Sequence, residues 1–141
     1  MAREDLVTRH RLLIVDDEES TRLLLARMLS KDLKADIQLA GTSVQALKLA
    51  ETFAYDAILI DLVMPGMDGF ALLRQIRGGT PNAVTPIIVV SVLGDEATRE
   101  RTFASGANAY HVKPVRRAEL VATVRAQLAG RNRPNPQEPR R

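Results

Sequence analysis

Two acids, Asp16 and Asp17, follow directly on the apolar run Leu12-Leu13-Ile14-Val15, and a third, Asp61, follows on Ala57-Ile58-Leu59-Ile60. The run Ile87-Ile88-Val89-Val90 leads into Ser91, and Ala109 to Val112 leads into Lys113. Short unbroken apolar runs read as strands covered on both faces. Three carboxylates, a hydroxyl and an ammonium at strand exits point to a site for phosphate and a divalent cation. A carboxylate can attack phosphorus as a nucleophile. Hard divalent cations take oxygen ligands, and a lysine brings a compact positive charge to a transferring group.

Helical stretches separate these strands. Residues 20–32 pair Leu24 with Met28 and Leu25 with Leu29 at i,i+4 spacing. Residues 36–40 predict a weaker second strand. Gly41-Thr42-Ser43 breaks it and caps a helix whose apolar face is Val44, Leu47 and Leu49 to Phe53. After Asp61, Met64-Pro65-Gly66-Met67-Asp68-Gly69 is a loop by its Pro-Gly pair. Asp68 then caps a third helix with Phe70, Leu73 and Ile76 on one face, and Gly78-Gly79-Thr80-Pro81 ends it. Residues 96–104 read as a fourth helix with Gly106 as its stop. Residues 116–129 read as a fifth, with Leu120, Val121, Val124 and Leu128 on one side. Five β-α units predict an α/β fold, a five-stranded parallel sheet doubly wound by five helices. Ligands bind such sheets beyond the carboxyl ends of the strands, where all the candidate groups fall.

Length and composition bound the rest. A chain of 141 residues, 45% hydrophobic and 26% charged, fits one domain. We expect an N-terminal extension over 1–10, the domain over 11–129, and a tail or linker stub over 130–141 with three prolines. No cysteine excludes disulfides and thiolate chemistry, and His10 and His111 lack zinc-ligand spacing. No run is long enough to span a bilayer, and the first residues do not read as a signal peptide, so a cytoplasmic protein without a membrane partner is expected. The net charge of +3 is uneven: residues 116–141 hold seven arginines against two glutamates. These arginines are scattered and lack interleaved aromatic residues, so a solvated end is expected rather than direct nucleic-acid contact.

The string Leu-Ile-Val-Asp-Asp-Glu over 13–18, Asp61-Leu62-Val63-Met64-Pro65-Gly66-Met67-Asp68-Gly69, Ser91, and Tyr110-His111-Val112-Lys113-Pro114 together resemble the receiver domain of two-component response regulators. The resemblance runs over residues 11–129 in family order and spacing. It implies a flavodoxin-like strand order 2-1-3-4-5 and a domain that is not an enzyme in the ordinary sense. By this resemblance Asp61 accepts a phosphoryl group from a histidine kinase or phosphotransfer protein. Asp16, Asp17, Asp61 and the Val63 carbonyl would hold Mg2+ or Mn2+, and Lys113 would contact the phosphoryl oxygens. Ser91 and Tyr110 would form a switch: Ser91 moves toward the phosphate and Tyr110 moves inward. The face of the fourth helix, fifth strand and fifth helix would then change shape toward a downstream target or output domain, a homodimer being one outcome. The Lys113-Pro114 bond would be cis.

Two positions depart from common relatives. Val63, two after Asp61, and Leu93, two after Ser91, are apolar where relatives often carry polar groups that position the attacking water. A slow loss of phosphate is therefore expected. Each residue also has a plainer reading: Asp16 and Asp17 as acids at a helix N-terminus, Asp61 as a loop cap, Lys113 as a solvated lysine. Two other functions compete. An aspartate-nucleophile phosphatase of the haloacid dehalogenase type expects Asp-x-Asp after the first strand, where this chain has adjacent Asp16-Asp17. A phosphate-independent adaptor would not need the acids, Ser91 and Lys113 together.

Overall fold

The structure, a computed structural model, describes residues 9–131. The expected tail from residue 132 and the first eight residues of the expected extension lie outside the described residues. The elements in chain order are β1 (His10–Val15), α1 (Glu19–Asp32), β2 (Ala35–Ala40), α2 (Ser43–Thr52), β3 (Ala57–Ile60), β4 (Val63–Met64), β5 (Met67–Asp68), α3 (Gly69–Gly79), β6 (Ile87–Ser91), α4 (Glu96–Ala104), β7 (Ala109–Val112) and α5 (Arg117–Arg131). Five strands pair in parallel in the order β2-β1-β3-β6-β7. Setting aside the short β4-β5 ladder, this is the expected 2-1-3-4-5 order.

The apolar quartets explain how the sheet is covered. Successive strand residues face opposite ways. Leu13, Val15, Ile58, Ile60, Ile87 and Val89 pack with Ala46 and Ala50 of α2 and Leu72, Leu73 and Ile76 of α3. Their alternates Leu12, Ile14, Leu59, Ile88 and Val90 pack with Leu25 and Leu29 of α1 and with Leu120, Val121, Val124 and Leu128 of α5. One run of four apolar residues thus feeds two cores. Helix α4 differs, because Thr102 is its single buried residue.

The helix faces correct two expectations. In α2 the buried positions are Ala46 and Ala50, while Val44 is 77% exposed. Alanines let the helix approach the sheet closely, and the bulkier Leu47, Leu49 and Phe53 pack at the margin. In α1 the Leu25/Leu29 pair is buried, but Leu24 is exposed. The Pro65-Gly66 loop is also more ordered than a loop. Val63 pairs with Asp68 and Met64 with Met67 in an antiparallel hairpin, and Gly66 takes φ +69°, as the third position of a type II turn requires.

Candidate functional site

Strand register assembles the site. Val15 pairs with Ile60, so the chain leaves both strands side by side at Asp16 and Asp61. The Asp61 amide donates to the Val15 carbonyl at 2.9 Å, and the Asp16 amide to the Ala40 carbonyl at 3.1 Å. Ser91 pairs with Val112, and the Lys113 amide donates to the Ser91 carbonyl at 2.8 Å. Lys113 therefore enters from the neighbouring strand, and the Lys113-Pro114 bond is cis.

The Lys113 Nζ donates to Asp16 Oδ2 at 2.7 Å and to Asp61 Oδ2 at 3.0 Å. Asp16 is 1% exposed and Asp61 6%, while Asp17 is exposed. Asp16 Oδ1 accepts from the Glu18 amide, and Asp61 Oδ1 from the Val63 amide, both at 2.9 Å. Each buried carboxylate thus turns one oxygen to its own loop and the other to the ammonium. The loop-cap reading of Asp61 is right for one oxygen. Asp16 lies ahead of α1 and bonds both the amide of Glu18 at the start of that helix and the Lys113 ammonium.

Electrostatics follow from this packing. Burial pushes the Asp61 carboxyl above its ordinary value; the Val63 amide and Lys113 offset part of this, and the Asp16 charge adds to it. Burial works against the charge on Lys113, but its hydrogen bonds to Asp16 and Asp61 outweigh that and raise it above the usual lysine value. Lys113 is therefore a fixed cation at neutral pH. Asp16, Asp17 and Asp61 each offer a carboxylate oxygen, and these atoms lie within 4.8 Å of one another. An all-oxygen set of this kind fits a hard divalent cation and gives no nitrogen or sulfur ligand for a softer one.

Ser91 is buried, and its Oγ accepts from the Leu93 amide at 3.2 Å. Tyr110 is 9% exposed, with its hydroxyl donating to the Leu93 carbonyl at 2.6 Å. The Arg99 guanidinium lies over the Tyr110 ring at 5.1 Å. The tyrosine already occupies an inward position, so the expected inward movement has no outward ring to start from in this structure. Val63, two residues after Asp61, is 47% exposed, and Leu93, two residues after Ser91, is 40% exposed; both are apolar. His111 packs against α5, with Nε2 2.7 Å from Thr123 Oγ1. Asp68 caps α3 through the Phe70 and Ala71 amides, as expected. Sequence reasoning passed over Arg22, whose guanidinium donates to the Asp16 carbonyl at 2.9 Å; one arginine in an amphipathic helix carries no local signal of such a contact.

The profile of the response regulator receiver domain family matches residues 12–125. The transcriptional regulatory protein ResD of Bacillus subtilis (strain 168) is 39% identical over 124 residues, covering 88% of this chain and 50% of that protein. The receiver domain of the sensor histidine kinase PA1611 from Pseudomonas aeruginosa PAO1, with a magnesium ion coordinated in its active site cleft, is 30% identical; it aligns over 86% of this chain and 98% of its own, with a TM-score of 0.78. The receiver domain of the Francisella response regulator 1452 is 28% identical over 88% of this chain and all of its own (100%), with a TM-score of 0.80. The chain belongs to the response regulator receiver domain family of two-component signal transduction. Receiver domains accept phosphoryl groups from histidine kinases and act on downstream targets, and they are phosphoacceptors rather than classical enzymes. The chain spans about half the length of the curated relatives it matches. These findings lend no support to the dehalogenase-type phosphatase. Among the described residues, no helix is long and apolar enough to cross a membrane.

Proposed function

We propose that Asp61 is the phosphoacceptor of this receiver domain, and that Asp16, Asp17, Asp61 and the Val63 carbonyl hold Mg2+, with Mn2+ as a substitute. The reading rests above all on the Lys113 ammonium, which joins Asp16 to Asp61 at the carboxyl end of the sheet. A carboxylate oxygen of Asp61 attacks the phosphorus of a donor phosphohistidine. The phosphorus–nitrogen bond breaks, its electron pair stays on the imidazole nitrogen, and an acyl phosphate forms on Asp61. Bound Mg2+ supplies positive charge that lets phosphate approach three carboxylates. Lys113 supplies a second, fixed positive charge to the phosphoryl oxygens. Catalysis is thus positioning and charge neutralisation.

The Ser91 hydroxyl then turns from the Leu93 amide to the phosphoryl group. That frees one end of the Leu93 loop, whose other end Tyr110 holds. The surface of α4, β7 and α5 responds, because α4 is only thinly anchored in the core. Val63 and Leu93 offer no polar side chain to orient water, so the acyl phosphate decays slowly. The domain over residues 11–129 acts in the cytoplasm on a protein target or on an output domain. It touches nucleic acid only through such a partner, and a dimer through the α4-β7-α5 face is one form of output.

Beryllofluoride with Mg2+ mimics an acyl phosphate and gives a direct test. Added together, they should shift the backbone amide resonances of residues 91–93 and 110–113. The shifts should vanish in Asp61→Ala and without Mg2+. Unchanged shifts in Asp61→Ala would refute the assignment.

A further inference from the structure

Arg22 is neither an acid nor a phosphate-contacting group, yet its side chain reaches the same strand exit. Its Nη1 donates to the Asp16 carbonyl at 2.9 Å, and its amide donates to the Glu18 carbonyl at 2.9 Å. One residue therefore holds both ends of the turn from Asp16 to Glu18. The Glu18 amide closes that turn by donating to Asp16 Oδ1 at 2.9 Å. Asp17 is its middle residue and is exposed, so the peptides on either side set where its carboxylate points.

A second contact comes from the exit of β2. A β-carbon at Gly41 would lie 2.9 Å from Arg22 Nη1 and 3.4 Å from its Cζ, and the three nearest atoms it would meet beyond its chain neighbours all belong to that guanidinium. The Gly41 backbone does not itself need glycine, since Gly66 and Gly106 are the glycines with positive φ among the described residues. Gly41 is fixed in turn: its amide donates to Gln45 Oε1 at 3.0 Å. The guanidinium is thus seated in a gap that glycine leaves open. No ion pair links Arg22 to a carboxylate among the described residues, so its contribution is geometric.

We propose that Arg22, seated against Gly41, is a positioning residue that fixes the Asp16–Asp17 turn for cation binding. The inference rests on the reading that these two acids hold the cation. A guanidinium suits the task, because its planar fork gives a charge-assisted bond of defined direction. Groups that orient metal ligands from behind typically matter by about 10–100-fold in affinity.

The test is Mg2+ affinity by calorimetry for the natural chain, Arg22→Met, Arg22→Lys, Gly41→Ala and the Arg22→Met/Gly41→Ala pair, with hydrogen exchange of the Glu18 amide measured in metal-free protein. Arg22→Met and Gly41→Ala should each bind Mg2+ about tenfold more weakly and exchange Glu18 faster. The double variant should be no worse than Arg22→Met, because Gly41→Ala acts only by displacing the guanidinium. Arg22→Lys keeps a donor and should recover part of the affinity. Gly41→Ala displaces only the far end of a flexible side chain, so it carries the test if Arg22→Met does not fold. Natural affinity in both single variants, or additive losses in the double, overturns the inference and leaves the cation reading standing. Failure of the natural chain to bind Mg2+, or full binding by Asp16→Asn and Asp17→Asn, overturns the cation reading and the inference with it.

Discussion

The Tyr110 hydroxyl donates a 2.6 Å hydrogen bond to the Leu93 carbonyl. The Leu93 amide donates to Ser91 Oγ, so the backbone of one residue ties together the two side chains that we propose, from the family resemblance, as a switch. Tyr110→Phe removes the donor and leaves a carbonyl unpaired. Urea unfolding should show a loss of about 1 kcal/mol, and the Leu93 amide should exchange faster. Unchanged stability and exchange would mean that this bond does not hold the loop.

Val63 and Leu93 give a kinetic expectation. Both side chains reach solvent, and neither can hydrogen-bond water. Loss of phosphate from the labelled protein, followed with Mg2+ present, should be slow for a receiver domain. Val63→Asn and Leu93→Glu should each speed it. A lifetime of seconds in the natural chain, or no acceleration in either variant, would remove this account of the two positions.

Arg77 separates stability from the site. It lies at the end of the sheet away from the acids and donates to the carbonyls of Asn82, Ala83, Thr85 and Gly106 and to Asn108 Oδ1. These bonds tie α3 to the segments that enter β6 and β7. Arg77→Met should lower unfolding stability by about 2–3 kcal/mol and leave Mg2+ affinity at its natural value. A weakened cation site in a folded Arg77→Met protein would show coupling through the sheet.

The strand exits were legible because the apolar quartets, each followed by an acid or a hydroxyl, fall between helical stretches and read as strands covered on both faces, although Leu23-Leu24-Leu25-Ala26 is an equally apolar quartet inside a helix. Register then did the assembling: Val15 opposite Ile60 brings Asp16 beside Asp61 without further information. The helix faces were less legible. Ala46 and Ala50 carry the α2 contact because they are small, whereas hydrophobic spacing favours the larger Val44. Arg22 with Gly41, and Arg77 with its carbonyls, are contacts between residues distant in sequence and leave no local pattern. The position of Tyr110 depends on the Leu93 loop, which spacing cannot show.

His111 adds a pH dependence. Burial holds its pKa below the ordinary histidine value, with Glu119 partly offsetting this and Arg99 reinforcing it. The unfolded chain therefore takes up a proton more readily than the folded one. The contribution of His111 to stability is full above the unfolded pKa of about 6.5 and is lost as pH falls from there through the lower folded pKa. Urea midpoints should drop between neutral and mildly acidic pH. His111→Gln, which can still bond Thr123, should flatten that drop. An equal drop in both proteins would place the titrating group elsewhere.

We propose that Asp61 alone carries the phosphoryl group. The natural chain and Asp61→Asn would each be incubated with Mg2+ and a small-molecule phosphodonor such as acetyl phosphate, trapped by borohydride reduction, and mapped by peptide mass spectrometry. The natural chain should give a single reduced product, at Asp61, which hydroxylamine treatment before the reduction abolishes, as it does for an acyl phosphate, and the Asp61→Asn protein should give none. An adduct on another residue of the natural chain, or one that persists in Asp61→Asn, would contradict the claim.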